Sequence, residues 1–263
     1  MVSIVLVHYR DAERLRALLA ALPHALESRE HEVIVVDNDT TDASNHERLR
    51  REFPSVRLIE NAENVGFGRA MNQGVAAASG AAVMLLNPDV DVGPGFIEPM
   101  LKALEQTRVG VVGPAIFRPD GRRQLTAHKR FPNLFTVFVE YCWPLQVALS
   151  RWFSNLHPHD ASEAAHAASH ETAHLTGVCL LLRRSDFHRV GGFDPGYFLY
   201  LDETDLQRRL RDAGLVAWYC AEARLTHYGA IGKRLAQTSP YFQASLERYW
   251  RRWHSRTPRL VLR

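Results

Sequence analysis

The chain has 263 residues, 46% hydrophobic and 23% charged, a globular composition that excludes a fibre or a disordered tail. Its 32 Lys and Arg against 29 Asp and Glu leave a net charge of +3, too small for bulk charge to argue for nucleic-acid binding. Cys142, Cys179 and Cys220 have no CxxC spacing, so neither a disulfide framework nor a cysteine zinc site is encoded, and a reducing cytosol is expected.

Val2–Val7 is a continuous apolar run that reads as a first strand and not as a signal peptide. Asp11 then caps a helix with an apolar stripe at Leu15, Leu18, Leu19 and Leu22, expected to stop at Pro23. The alternation returns with strand Val33–Val36, a polar turn and helix, strand Val56–Ile59, a helix near Phe67–Ala78, and strand Ala82–Leu86. Strands buried on both faces and joined by helices predict a mostly parallel α/β sheet.

Beyond Gly113 the pattern loosens into a Pro114–Arg123 loop, an aromatic stretch at Phe131–Phe153 and a His- and Ala-rich segment, His157–His174. Pro132, Glu140, Pro144 and Arg151 break the aromatic stretch, so no transmembrane segment is expected. Order resumes with a buried strand at Leu175–Leu182, a turn at Gly191–Gly196, a helix at Asp202–Ala213 and a short strand at Val216–Cys220. There is no internal repeat and no linker.

In a parallel sheet, ligands lie beyond the carboxyl ends of the strands, here the segments starting at His8, Asp37, Asn61 and Asn87. Asp37 could accept a hydrogen bond from a nucleobase imide there, or cap the next helix with Asn38 and Asp39. The Asn64–Arg69 segment has glycines that permit close backbone approach to a phosphate, with Arg69 adding charge; a structural turn would use the same residues. Asp89 and Asp91 follow a very apolar strand, as a divalent cation bridging a diphosphate requires, although turn chemistry also accounts for Asp91. Asp202, Glu203 and Asp205 open a helix; its dipole explains one of these carboxylates, and the surplus can supply a general base.

The ordered series VSIVLVHYR, EVIVVDNDTTDAS, ENVGFGRAMNQGVAAASG, LLNPDV, GVCLLLRRSDF, VGGFDPGYFLYLDETDLQRRL and THYG resembles the glycosyltransferase family 2 enzymes, in their rhamnosyltransferase-like group, over nearly all of residues 1–232. That resemblance implies a single GT-A domain, with residues 1–117 as the nucleotide-sugar and metal half and 118–263 as the acceptor and base half. It implies an inverting transfer of a sugar, rhamnose at the family level, from a dTDP-, UDP- or GDP-sugar. The acceptor would be a hydroxyl of a glycan or lipid-linked carrier in cell-surface polysaccharide synthesis, and the cofactor Mn²⁺ or Mg²⁺. By motif, Asp37 reads the base, and His8, Tyr9, Asn64, Gly66, Arg69, Asn72 and Asn87 join it around the donor. Asp89 is the metal carboxylate, with Asp91 and His227 as further ligands, and Asn87 in the first acidic position implies modest metal affinity. Glu203 is the base by position, Asp202 is its competitor because the order of the pair is swapped, and Asp205 is the third candidate.

Two other readings compete. His170-Glu171-Thr172-Ala173-His174 matches HExxH, the zinc-peptidase motif, with His166 one further helical turn back, but it leads straight into a strand-like run. A non-catalytic sugar-nucleotide binder would keep the donor residues without a base. The carboxyl end, Tyr241–Arg263, carries Phe242, Leu246, Tyr249, Trp250 and Trp253 at helical spacing among arginines. Such a helix suits an anionic membrane surface or packs its aromatic face on the domain. A cytoplasmic enzyme, peripheral on the inner membrane, is the expectation.

Overall fold

The computed structural model describes residues 1–27, 29–39, 43–133, 164–229 and 239–254. Val2–His8 (β1) pairs in parallel with His31–Asp37 (β2) and with Ala82–Leu86 (β4), and β2 pairs in parallel with Arg57–Glu60 (β3). Every residue of β1 is buried, as an interior strand requires. The helices between them are Ala12–Leu26 (α1), Ala43–Glu52 (α2) and Phe67–Ala77 (α3).

The second half adds Val90–Val92 (β5), Glu98–Leu104 (α4), Val109–Phe117 (β6) and the short strands His128–Lys129 (β7), His170–Thr172 (β8) and His174–Leu175 (β9). Cys179–Arg183 (β10), Arg184–Arg189 (α5), Asp202–Asp212 (α6), Val216–His227 (β11) and Pro240–Trp253 (α7) follow. The main sheet runs β3-β2-β1-β4-β10-β6-β11-β5, with β8 on β11. Its first half is parallel as expected. In the second half β10 runs antiparallel to β4 and β6, and β5 and β8 antiparallel to β11, so the sheet is mixed. An interior strand such as Leu180–Leu182 is apolar on both faces in either direction, so composition does not report its sense.

The expected Pro114–Arg123 loop begins as strand, because β6 runs to Phe117 beside β11, and three further boundaries differ from expectation. Asp11 caps α1, its carboxylate accepting from the Arg14 N–H at 3.2 Å, but the helix runs through Pro23 to Leu26. Burial of Ala25 and Leu26, 0% and 1% exposed, offsets the hydrogen bond that Pro23 cannot donate. The expected strand Leu175–Leu182 is two strands, because the chain bends at Thr176-Gly177, where Thr176 N–H donates to the Ala127 carbonyl at 2.9 Å. The expected strand Val216–Cys220 continues to His227 through an irregularity between Cys220 and Arg224, which breaks the sequence alternation that would have revealed it.

The zinc-peptidase reading is overturned. His170 and Glu171 lie on β8, paired with Tyr219 and Trp218 of β11, and His174 lies on β9, so no helix presents them together. Glu171 pairs with Arg108 at 2.7 Å, and His174 is buried against Phe131. No group of three or more His, Cys, Asp or Glu able to hold a metal occurs among the described residues.

The aromatic face of α7 packs on the domain: Leu246, Tyr249 and Trp250 are buried. That apolar stripe is therefore not available to a membrane. Among the described residues, no helix is long and apolar enough to cross one. Cys142, the aromatic stretch after Asn133, His157 and the residues after His254 lie outside the described set.

Candidate active site

The carboxyl ends of β1, β2 and β4 and the segments before β10 and α6 enclose a cleft of about 670 Å³. Tyr9, Asn64, Gly66, Asn87, Asp89, Asp202 and Glu203 of the expected residues line it. Gly66 closes one side. Its φ of +87° is in the left-handed region, and a Cβ there would lie 2.6 Å from the Phe198 carbonyl oxygen. That close approach lets Phe67 N–H donate to the same carbonyl at 2.9 Å, tying the start of α3 to the strap that precedes α6. Gly66→Ala is expected to destabilise the fold by about 1–3 kcal/mol and to weaken nucleoside diphosphate binding. Chemical denaturation and calorimetry check the two effects separately.

The strap ends in two consecutive non-glycine residues with left-handed backbone, Tyr200 at φ 71° and Leu201 at φ 60°. Strained backbone persists only where the surroundings over-determine it. Here Ser245 Oγ of α7 donates to the Leu199 carbonyl at 2.8 Å, and Arg248 holds Asp194 at 2.7 Å. The strain sets the entry of α6 and so the direction in which its first carboxylates leave.

Those carboxylates have three different environments. Asp202 is 2% exposed; its Oδ1 accepts from the Glu203 N–H at 3.1 Å, and its Oδ2 is buried with no hydrogen-bond partner. Burial first, and repulsion by Glu203 second, hold its carboxyl well above the usual aspartate range. Glu203 is partly exposed in the cleft, its stem lying along Gly177, where a Cβ would meet Glu203 Cγ at 3.2 Å. Asp205 is fully buried on another side of α6, held by Arg209 at 2.8 Å and by Trp253 Nε1 at 2.9 Å. The structure thus brings Asp202 and Glu203 to the cleft and directs Asp205 into the α6–α7 contact.

Two expectations follow. Asp205→Asn removes the buried charge that Arg209 holds at 2.8 Å, while Arg252 keeps Asp194 at 2.7 Å; it is expected to cost about 3–5 kcal/mol in urea denaturation, with turnover per folded molecule retained. Asp202 binds its proton more tightly folded than unfolded. Its contribution to stability is therefore complete below the ordinary aspartate range and is lost as pH rises toward its raised folded value. Asp202→Asn, which needs no proton, should gain stability over the parent at neutral pH. That difference should vanish near pH 4, as pH-dependent denaturation midpoints would read.

Asp89 and His227 form the second polar feature, joining the two halves of the chain. His227 Nε2 lies 3.3 Å from Asp89 Oδ2, and Asp89 Oδ1 is buried with no hydrogen-bond partner. Tyr228 N–H donates to the Asp89 carbonyl at 2.8 Å, fixing the turn against the end of β11. Gly229 abuts the pair: a Cβ there would lie 2.4 Å from His227 Nε2 and 2.5 Å from Asp89 Oδ2, so any side chain would fill the space beside them. His227 Nδ1 faces Gln124 Oε1 at 3.4 Å, an arrangement that leaves Nε2 for a cation. One carboxylate, one imidazole and an open flank fit a divalent ion that completes its shell with phosphate and water oxygens. Asp91 does not join them; it is exposed on β5, and its Oδ2 accepts from the Tyr228 hydroxyl at 3.2 Å.

The remaining expected residues act at a distance from the cleft surface. Asp37 is 1% exposed; its Oδ1 lies 2.9 Å from His8 Nδ1 and accepts from the Asp39 N–H at 2.7 Å, while its Oδ2 lies 3.0 Å from His46 Nε2. The carboxylate is thus engaged within the chain, and the neighbouring Asn38 is the residue of this turn that lines the cleft. His8 is buried beneath it. Arg69 Nε donates to the Pro195 carbonyl at 2.9 Å, and Asn72 exchanges two hydrogen bonds with the Phe193 backbone, so both brace the strap.

Thr176, Gly177, Phe198 and Tyr241 also line the cleft without having been expected there from sequence, and Asp11, expected only as a helix cap, joins them. The usable signal was Gly177, a glycine directly ahead of a strand run, which marks a close approach. Nothing local marked Tyr241, whose place depends on how α7 docks.

A family model described as "Glycosyl transferase family 2" matches residues 3–191. The chain is 32% identical over 246 residues to the N-acetylglucosaminyl-diphospho-decaprenol L-rhamnosyltransferase of Mycobacterium tuberculosis, covering 88% of this chain and 76% of that one. It is 24% identical over 235 residues to the rhamnosyltransferase WbbL of Escherichia coli, covering 87% and 83%. Among solved structures, a mannosyltransferase from Pyrobaculum calidifontis in complex with GDP-Man and Mn²⁺ superposes with a TM-score of 0.62 at 19% identity, covering 95% of this chain and 64% of that one. GalNAc-T7 with UDP, GalNAc and Mn²⁺ superposes with a TM-score of 0.64 at 13% identity, covering 95% of this chain and 47% of that one. At those identities the likeness establishes the GT-A fold. This chain spans less than two thirds of either solved chain.

Proposed function

The chain belongs to glycosyl transferase family 2, and from that premise we propose that it is an inverting, metal-dependent glycosyltransferase. It moves a sugar from a nucleotide-diphosphate donor to a hydroxyl of a lipid-diphosphate-linked glycan during cell-surface polysaccharide synthesis. Rhamnose from dTDP is the first donor to try, with UDP- and GDP-sugars next. The observation that carries the reading is one cleft shared by the partly exposed Glu203 at the start of α6 and by Asp89 of the Asp89–His227 pair. Residues 1–117 supply the donor side, and residues 118–263 the base and acceptor side.

In this mechanism Glu203 accepts the proton of the acceptor hydroxyl as that oxygen bonds to the anomeric carbon. The bond from that carbon to the diphosphate oxygen breaks on the opposite face, inverting the configuration, and the nucleoside diphosphate leaves with the electron pair. Asp89 and His227 would hold the divalent cation, whose chemistry is to neutralise the charge growing on the leaving diphosphate. Asp202 is buried, so it offers no accessible nucleophile for a double displacement, and burial together with repulsion by Glu203 raises its carboxyl above the usual aspartate range. Asn64 and Asn87 line the donor side with neutral hydrogen-bonding groups, while Asn38, 3% exposed, donates to the Gly66 carbonyl at 3.3 Å and accepts from Asn61 Nδ2 at 2.8 Å.

A lipid-linked acceptor has the enzyme work at a membrane surface, and we infer peripheral association at the cytoplasmic face, where nucleotide sugars are made. The test of donor chemistry is a melting-temperature screen against dTDP, UDP and GDP with Mn²⁺ or EDTA. One diphosphate stabilising the fold only with metal is the expected result. Stabilisation by none of them would remove the donor reading.

A further inference from the structure

Tyr241 and Tyr9 are the two exposed aromatic residues among the described residues that line the cleft. Tyr241 is 47% exposed, although most of the aromatic face of its helix is buried. Its ring stacks on Phe198 with centroids 4.6 Å apart and planes at 25°, and both rings line the cleft that holds Glu203. Phe198 in turn rests on the donor loop, its ring 3.0 Å from where a Cβ of Gly66 would stand. On α7, Ser245 and Arg248 tie the helix to the strap, and Phe242 packs edge-on against Tyr200. The Tyr241 ring is therefore fixed at its base, with one face on Phe198 and much of its remaining surface open.

We propose that Tyr241, stacked on Phe198, is the platform for the acceptor sugar, taking the C–H face of a pyranose ring beside Glu203. The inference rests on the transferase reading above and assigns a subsite within it. Three features favour a sugar. A pre-oriented aromatic ring offers an apolar face at little entropic cost. The phenol hydroxyl adds a polar edge suited to sugar hydroxyls. The nucleobase belongs at the ends of β1 and β2, whereas Tyr241 stands on a separate element, α7. Tyr241 lies beyond residues 3–191, the segment matched by the family model.

The experiment pairs direct binding with kinetics. Saturation-transfer NMR with a short-chain N-acetylglucosaminide should show contact through the sugar ring protons in the parent and in Tyr241→Phe, and lose it in Tyr241→Ala. The KM for the acceptor should rise about tenfold or more in Tyr241→Ala, with nucleoside diphosphate affinity and melting temperature unchanged. A weakened diphosphate affinity would place the nucleobase on Tyr241 and overturn the proposal. An effect seen with a long-chain lipid acceptor and absent with the short-chain one would assign Tyr241 to the lipid and overturn it as well. Ring-proton contact without any transfer by the parent would count against the catalytic reading and leave the sugar platform standing.

Discussion

Glu203→Gln is expected to lower kcat by about 10²–10⁴-fold while leaving nucleoside diphosphate binding and melting temperature at parental values. The amide keeps the size and hydrogen-bonding reach of the carboxylate and removes its basicity. Asp202 is poorly placed to take over: it is 2% exposed, and burial with repulsion by Glu203 raises its carboxyl above the usual aspartate range. Asp205 is committed to Arg209 and Trp253. The companion variant, Asp202→Asn, should retain most turnover, so kcat measured for the two side by side separates the base from its neighbour. Equal losses would mean that the pair acts as a unit. Parental turnover by Glu203→Gln would move the base elsewhere.

The second large effect is at Asp89. Asp89→Ala removes the carboxylate of the cation pair and is expected to abolish the stabilisation that Mn²⁺ plus nucleoside diphosphate gives the parent. At a ligand concentration of one hundred times Kd, that is a loss of about 2.7 kcal/mol of apparent stability. In the absence of ligand the variant should melt close to the parent, because Asp89 Oδ1 has no hydrogen-bond partner and only the 3.3 Å contact of Oδ2 with His227 is lost. Calorimetric titration of the diphosphate with and without EDTA gives the same comparison as an affinity. An Asp89→Ala protein that binds diphosphate as tightly as the parent would place the cation elsewhere.

The part of this architecture that was readable in the chain is the part governed by local rules. β1, β2 and β4 are apolar runs because they are buried on both faces, and Asp11, Gly66 and the Asp202–Asp205 cluster mark helix starts by capping and dipole chemistry. The cleft residues that follow those strands were legible for the same reason, since strand ends collect ligands in such sheets. The apolar face of α7 was legible as a stripe, but its partner was not, because a domain surface and a membrane select the same aromatic pattern. Strand β11 was cut short at Cys220 by an irregularity that hides its continuation to His227. HExxH was a coincidence of letters, overruled once the surrounding chain was extended. Asp37 shows a further limit. Its position at a strand end was correct, but its partners His8 and His46 come from other elements, and only the fold shows that they engage the carboxylate. Likewise three acidic residues in the first turn of α6 carry no label for which one faces the cleft; the left-handed backbone at Tyr200 and Leu201 decides it.

The most direct measurement is the product itself. The purified protein, given a dTDP-, UDP- or GDP-sugar, Mn²⁺ and a short-chain N-acetylglucosaminyl diphospholipid, is followed by NMR of the anomeric proton. The account predicts a disaccharide product of inverted configuration formed in step with one released nucleoside diphosphate, and no product from Glu203→Gln. A product with retained configuration, or donor that binds and turns over identically with and without Glu203, would contradict it.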